Sequence, residues 1–267
     1  MGEESRPFSK RYISLRSGSR GAGLWWRASY GRRSLVLWGV LLGCVGLGAA
    51  VSQACAEDED MRQRRLRMVR EQIEARGVKD PRVLDAMRTV PRHLFVPQGS
   101  ARRAYEDTPL PIGKGQTISQ PFIVAYMCEA LQLRGQEKVL EIGTGSGYHA
   151  AVLSLLAAKV YTIELLEDLA KEAAGRLRRL GYLNVEVRCG DGYKGWPQEA
   201  PFDAIVVTAA PPDIPQELVK QLKVGGRMVV PVGEGVQELL RVTRTPKGTE
   251  VERLLPVRFV PMVPGSR

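Results

Sequence analysis

The sequence predicts an α/β fold: a doubly wound, mostly parallel sheet with helices on both faces. Three observations lead there. From residue 138 onward, short apolar runs alternate with helical stretches. The runs are apolar at successive positions, as strands covered on both faces are. The first run leads straight into Gly143-Thr144-Gly145-Ser146-Gly147 and then a helix, and a strand–turn–helix unit of this kind begins a wound parallel sheet.

The elements follow in order. Residues 61–77 form an amphipathic helix with Leu66, Val69 and Ile73 inward, arginines on a solvated face, and Gly77 at its end. A second helix starts at Asp80-Pro81, a capping residue followed by proline at the first helical position. It turns Val83, Leu84 and Met87 inward and stops before Pro91. Residues 91–121 are rich in Pro and Gly and lack periodicity, so an irregular stretch is expected, and irregular stretches of this length are often functional. A helix follows over 121–131. Strands are then expected at 138–142, 160–163, 185–188, 204–207, 228–232, 239–243 and 251–260. Helices are expected at 147–157, 167–180 and 215–222, and Gly225-Gly226 reads as a turn.

Ahead of this domain, residues 57–267, stands a leader, residues 1–56. It carries eight of the chain's 39 basic residues and two of its 29 acids, so +6 of the net +10 lies there. The remainder is only mildly basic, and no nucleic-acid partner is expected. Within the leader, Arg32-Arg33 precedes an apolar run from Leu35 to Val51 and small residues at Ala54-Cys55-Ala56. That order describes an export signal, of twin-arginine type by its Arg-Arg-Ser-Leu-Val. Two other readings stay open: lipid attachment at Cys44 of Leu41-Leu42-Gly43-Cys44, or an uncleaved membrane anchor. The chain is therefore expected to be exported to the periplasm. Cys128 and Cys189 have no Cys-x-x-Cys partner, so no metal site is expected, and a disulfide between them is left open.

The glycine loop marks a ligand site at the carboxyl end of the first strand of the sheet. Gly143, Gly145 and Gly147 allow a tight turn and close approach of a ligand to the backbone. Glu164, at the end of the next strand, can accept both hydroxyls of a ribose. Asp191, in Gly190-Asp191-Gly192 after the third, can reach an adenine amino group. Dinucleotide enzymes share this geometry. The Gly-x-Gly-x-Gly spacing and an acid inside the first strand, Glu141, favour S-adenosyl-L-methionine. Plainer readings remain: turn glycines, a strand-end surface acid for Glu164, a turn residue for Asp191, and a turn hydroxyl for Ser119 ahead of Gln120-Pro121.

Several segments together resemble protein-L-isoaspartate O-methyltransferases. These are Leu110-Pro111-Ile112-Gly113, Gln116-Thr117-Ile118-Ser119-Gln120-Pro121, residues 139–148, Gly190-Asp191-Gly192, residues 202–210 and Val257-Arg258-Phe259-Val260-Pro261. The resemblance covers residues 62–265 in unbroken order, and Thr-Ile-Ser-Gln-Pro is its most specific part. It implies a Rossmann-like class I methyltransferase fold with added N-terminal helices. It implies S-adenosyl-L-methionine as methyl donor and isoaspartyl-containing proteins and peptides as acceptors. By it Ser119 is the active-site serine, with Val260 and Pro261 beside the acceptor. Thr117, Ile118, Gly143, Glu164, Asp191, Gly192 and Gln237 match cofactor-contacting positions. A monomer is expected. The leader departs from the family, whose members are usually cytoplasmic. The rival functions are another S-adenosylmethionine-dependent methyltransferase, an NAD-dependent oxidoreductase, and a module that binds isoaspartyl peptides without methylating them. A nucleophilic Ser119 would need a histidine base, and the two histidines, His93 and His149, lie in no triad motif.

Overall fold

The structure is a computed structural model that describes residues 57–265. The expected leader, with its export signal, cleavage site and Cys44, lies outside the described residues. Helix α1 covers residues 57–68 and continues through a π turn, Val69–Ile73, and a 3₁₀ turn, Glu74–Arg76. Its buried seam is Met61, Met68, Val69 and Ile73. Leu66, expected inward, is only half-buried; at about 100° per residue it sits about 140° around the helix from Met61. Helix α2, Pro81–Thr89, starts where the Asp80 side chain accepts the Arg82 N–H at 2.9 Å, and it buries Val83, Leu84, Ala86 and Met87. Glu129 of helix α3, Pro121–Leu131, accepts the Lys79 and Asp80 N–H groups at 2.6 and 2.7 Å, which ties the two helices together.

The stretch expected to be irregular is more ordered than its composition suggests. It holds two 3₁₀ turns, Arg92–Phe95 and Gln98–Arg103. It also holds an antiparallel hairpin of β1, Leu110–Gly113, and β2, Gln116–Ile118. Strands of four and three residues, one containing a proline, are too short to display a period of two.

The main sheet has seven strands: β3 Lys138–Ile142, β4 Lys159–Glu164, β5 Val185–Cys189, β6 Phe202–Val207, β7 Leu222–Val232, β8 Gln237–Thr245 and β9 Gly248–Val257. Their order is β5-β4-β3-β6-β7-β8-β9. The first five run parallel, and β8 and β9 are antiparallel additions. Alternate residues feed two cores. Val139, Val160 and Val206 face α2, α3, α4 (Tyr148–Ser154) and Leu177 of α5 (Glu167–Arg179). Leu140, Ile163 and Val207 face Trp196 and helix α6, Gln216–Lys220.

Two boundaries differ from expectation. Gly225-Gly226 lies inside β7, where the pairing with β6 shifts register. A Cβ on Gly226 would stand 2.9 Å from the Asp203 carbonyl oxygen, so the glycine lets the backbones approach within a strand. The last strand ends at Val257, and residues 258–262 instead cross to Ala210, whose N–H donates to Val260 O and whose O accepts from Met262 N, both at 2.8 Å. The chain passes from one side of the sheet to the other between β3 and β6, which opens a crevice above their carboxyl ends. Among the described residues, no helix is long and apolar enough to cross a membrane.

Candidate active site

The crevice is a cavity of about 900 Å³, a size that suits a small-molecule cofactor with part of a second ligand. Its floor is the glycine loop between β3 and α4. Gly143 and Thr144 donate to Ile163 O at 2.8 and 3.2 Å, anchoring the loop to β4. Gly143 has φ +96°, and a Cβ there would fall 2.3 Å from Thr208 Oγ1. That hydroxyl donates to Ile142 O and Gly143 O at 3.0 and 2.8 Å, so Thr208, at the end of β6, clamps the loop from the other side. Gly145 lines the cavity, and Gly147 sits behind it as the N-terminal cap of α4.

Glu164 ends β4 in the cavity wall and is 7% exposed. Its carboxylate accepts Gly145 N–H at 2.8 Å and Leu166 N–H at 3.1 Å. An ionised carboxylate offers about four acceptor positions, so two remain for ligand hydroxyls. Gly192 lines the cavity too; a Cβ there would meet Ile142 Cγ2 at 2.4 Å, so the loop after β5 packs against β3 only because the side chain is missing. Asp191 stands just outside the wall, with one oxygen accepting Tyr193 N–H at 2.9 Å.

Thr117, Ile118 and Ser119 line the opposite wall, between β2 and the first turn of α3. The Ser119 hydroxyl has no protein hydrogen-bond partner among the described residues. Neither histidine serves it. His93 Nδ1 is 2.6 Å from Tyr105 Oη. His149 lines the cavity, but its Nε2 is 3.3 Å from Cys128 Sγ and its Nδ1 faces Glu141, and burial drops the ring to about 3, so it is neutral. The site therefore contains no serine–histidine pair.

Val260 and Pro261 complete the rim. Gln237 does not line the cavity. It holds the rim in place: its Nε2 donates to Phe259 O at 3.1 Å and its Oε1 accepts Phe259 N–H at 2.6 Å. Glu141 is also behind the wall, fully buried, and accepts from Thr162 Oγ1 at 2.6 Å. Thr208 and Arg76 are the contributors that the sequence reading did not single out. Thr208 follows strand β6 at the switch point, a position that could have flagged it. Arg76 had no local signal. Its guanidinium stacks 3.6 Å over Phe122 and pairs with Asp107 at 2.8 Å, bracing the turn before α3 at the cavity mouth. Cys128 is buried and Cys189 exposed, and both are free thiols. Among the described residues, no group of three or more metal-ligating side chains is assembled.

A profile of the protein-L-isoaspartate(D-aspartate) O-methyltransferase family matches residues 63–267. A protein-L-isoaspartate O-methyltransferase of Gloeobacter violaceus is 60% identical over 197 residues, covering 73% of this chain and 96% of its own. One from Synechococcus sp. is 58% identical over 207 residues, covering 74% and 85%. Among solved structures, a protein-L-isoaspartate O-methyltransferase superposes with TM-score 0.67 at 31% identity, covering 75% of this chain and 65% of that one. A Plasmodium falciparum relative in complex with S-adenosyl-L-homocysteine gives 0.64 at 25% identity, covering 74% and 98%. With the profile spanning the described domain from α1 to the rim, and with the glycine loop and Ser119 facing one cavity, this chain belongs to the protein-L-isoaspartate (D-aspartate) O-methyltransferase family.

Proposed function

We infer that this chain transfers the methyl group of S-adenosyl-L-methionine to the free α-carboxylate of L-isoaspartyl residues in damaged proteins and peptides. The observation that carries the reading is the unpartnered Ser119 hydroxyl in the same cavity as the glycine loop and Glu164. The residues present fit the donor. Glu164 keeps acceptor capacity for ribose hydroxyls, and the 143–147 backbone is open to close approach. When bound, the donor supplies an electrophilic methyl on a sulfonium centre.

The acceptor needs no base, because a carboxylate with a pKa of about 4 is ionised at neutral pH. The protein's task is to bring oxygen and methyl into line, and orientation supplies most of the rate. The Ser119 hydroxyl donates to one acceptor oxygen and so aims the other. Arg258 on the rim has no acidic partner among the described residues, and the one cavity-lining carboxylate, Glu164, is engaged by backbone N–H groups, so the mouth favours an anionic acceptor. The Arg258 and Val260 N–H groups lack backbone partners among the described residues. An extended peptide paired there would be read through its main chain, with little side-chain selectivity. The methyl ester then closes to a succinimide, whose hydrolysis partly restores aspartate. Transfer of labelled methyl to an isoaspartyl peptide, with the aspartyl isomer as control, tests the function; equal labelling of the two overturns it.

We also propose, from the leader sequence, that the chain is exported and, as a separate expectation, that it acts as a monomer. The family match begins at residue 63, beyond the leader. Sequencing the mature N-terminus and sedimentation of the purified protein test the two points.

A further inference from the structure

Behind the glycine loop lies a chain of buried polar groups that methyl transfer does not use. Cys128 of α3 is 3.3 Å from His149 Nε2 of α4. His149 Nδ1 is 3.9 Å from Glu141 Oε1 of β3, and each of these two atoms is buried without a hydrogen-bond partner. Glu141 Oε2 accepts from Thr162 Oγ1 of β4 at 2.6 Å, and Thr162 is 2.7 Å from Thr144 Oγ1 of the loop itself. The chain therefore runs from the loop to His149, which lines the cavity.

Buried polar atoms left unpaired are costly, and two facing orphans 3.9 Å apart invite a shared proton. Two arrangements satisfy every group. In the first, Glu141 is a neutral acid: Oε1–H donates to His149 Nδ1, and His149 Nε2–H donates to the Cys128 sulfur. In the second, Glu141 is ionised: the Cys128 thiol donates to Nε2, and Nδ1–H donates to the carboxylate. Passing from the first to the second moves the imidazole proton from Nε2 to Nδ1 and delivers one proton to solvent. The groups facing Glu141 favour the neutral acid when the site is empty. The Thr162 hydroxyl on β4 donates to the carboxyl and pulls towards the anion, but burial outweighs it; Val206 flanks it on β6, His149 and Cys128 bring no charge from α4 and α3, and Glu164 adds a second negative charge from the end of β4. Burial is the largest cause of a carboxyl pushed up to about 8.

We propose that Glu141 and His149 form a proton-linked sensor of cofactor charge, neutral in the empty site or with the spent thioether cofactor, and ionised when the cationic sulfonium donor is bound. This rests on the methyl-donor reading of the cavity. The donor and the product, S-adenosyl-L-homocysteine, share the same amino-acid and adenosine ends and differ by one methyl and one positive charge. An anion that forms only with the cation present strengthens binding of donor relative to product, so the product leaves more readily.

Titration calorimetry of the full chain at pH 7, in buffers of different ionisation enthalpy, counts protons released on binding each cofactor. The expected result is release of more than about half a proton with the donor and close to none with the product. The difference should vanish in Glu141→Gln, whose amide preserves the hydrogen bonds without a titrating group. Equal release for both cofactors by the unmodified protein overturns the sensor, whatever the variant does. Absence of binding by either cofactor overturns the methyl-donor reading, and the sensor with it.

Discussion

Replacing Glu141 with glutamine should change the pH dependence of folding in a way that can be worked out in advance. In the fold, burial raises the Glu141 carboxyl from 4.5 to about 8 and lowers the His149 imidazole from 6.5 to about 3. The raised acid holds a proton that the unfolded chain has lost, so its contribution is full below 4.5 and disappears as pH rises to 8. The depressed imidazole stays neutral where the unfolded chain is protonated, so its contribution is full above 6.5 and is lost as pH falls towards 3. Each slope is about 1.36 kcal/mol per pH unit. Between 4.5 and 6.5 the two cancel, and the pair contributes a plateau. From 6.5 to 8 only the acid titrates, over one and a half units, so about 2 kcal/mol is lost. Glutamine removes the acid's slope. The variant should therefore gain stability relative to the parent by about 2 kcal/mol between pH 6.5 and 8, and by a further 2–3 kcal/mol or so between pH 4.5 and 6.5, where the imidazole slope is no longer masked. Urea unfolding of the cofactor-free proteins at pH 4.5, 6.5 and 8 measures this as the difference between two curves, in which every other group cancels. Parallel stability curves would refute the assignment of a neutral buried acid at Glu141.

In the proposed mechanism Ser119→Ala removes a hydrogen bond to a charged acceptor, worth about 1.5–3 kcal/mol, so turnover on an isoaspartyl peptide should fall roughly 10- to 100-fold. Donor affinity, measured by calorimetry, should stay within about twofold, and unchanged turnover would remove the serine's role. Gly143→Ala places a methyl 2.3 Å from Thr208 Oγ1 at a φ of +96°. It should displace the loop and weaken donor binding at least about tenfold, with a stability loss of about 1–3 kcal/mol by thermal unfolding. Gln237→Ala cuts both side-chain bonds to Phe259. It should raise the KM for peptide several-fold while leaving the donor dissociation constant nearly unchanged; equal effects on both ligands would place Gln237 at the cofactor instead.

Some of this protein was legible along the chain. The central parallel strands β3, β4 and β6 could be read because both of their faces are buried, which makes each a largely apolar run bounded by turn residues, whereas edge strand β5, Val-Glu-Val-Arg-Cys, keeps no buried residue and shows alternation instead. The glycine loop could be read because close backbone approach at Gly143 admits no side chain. Helix α2 could be read from Asp80-Pro81, because capping is decided by adjacent residues. The hairpin of β1 and β2 was not legible. Its seven residues are held by pairing across a turn and carry no pattern of their own.

The roles of polar residues divide along the same line. Sequence alone determined the fold class, from the alternation of apolar runs and helices, and the glycine loop with Glu164 at the end of the next strand, while Ser119 stood out through the family resemblance of its segment. Tertiary structure decided what lies in front of the wall and what lies behind it. It put Gln237 on Phe259, 22 residues away, as a brace for the rim. It set Arg76 over Phe122 at the mouth. It brought Glu141, His149 and Cys128, from three different elements, into one buried chain. The physical reason is that burial and charge state belong to the assembled environment: a glutamate inside an apolar strand reads the same on paper whether it meets a ligand or shares a proton with a histidine behind it.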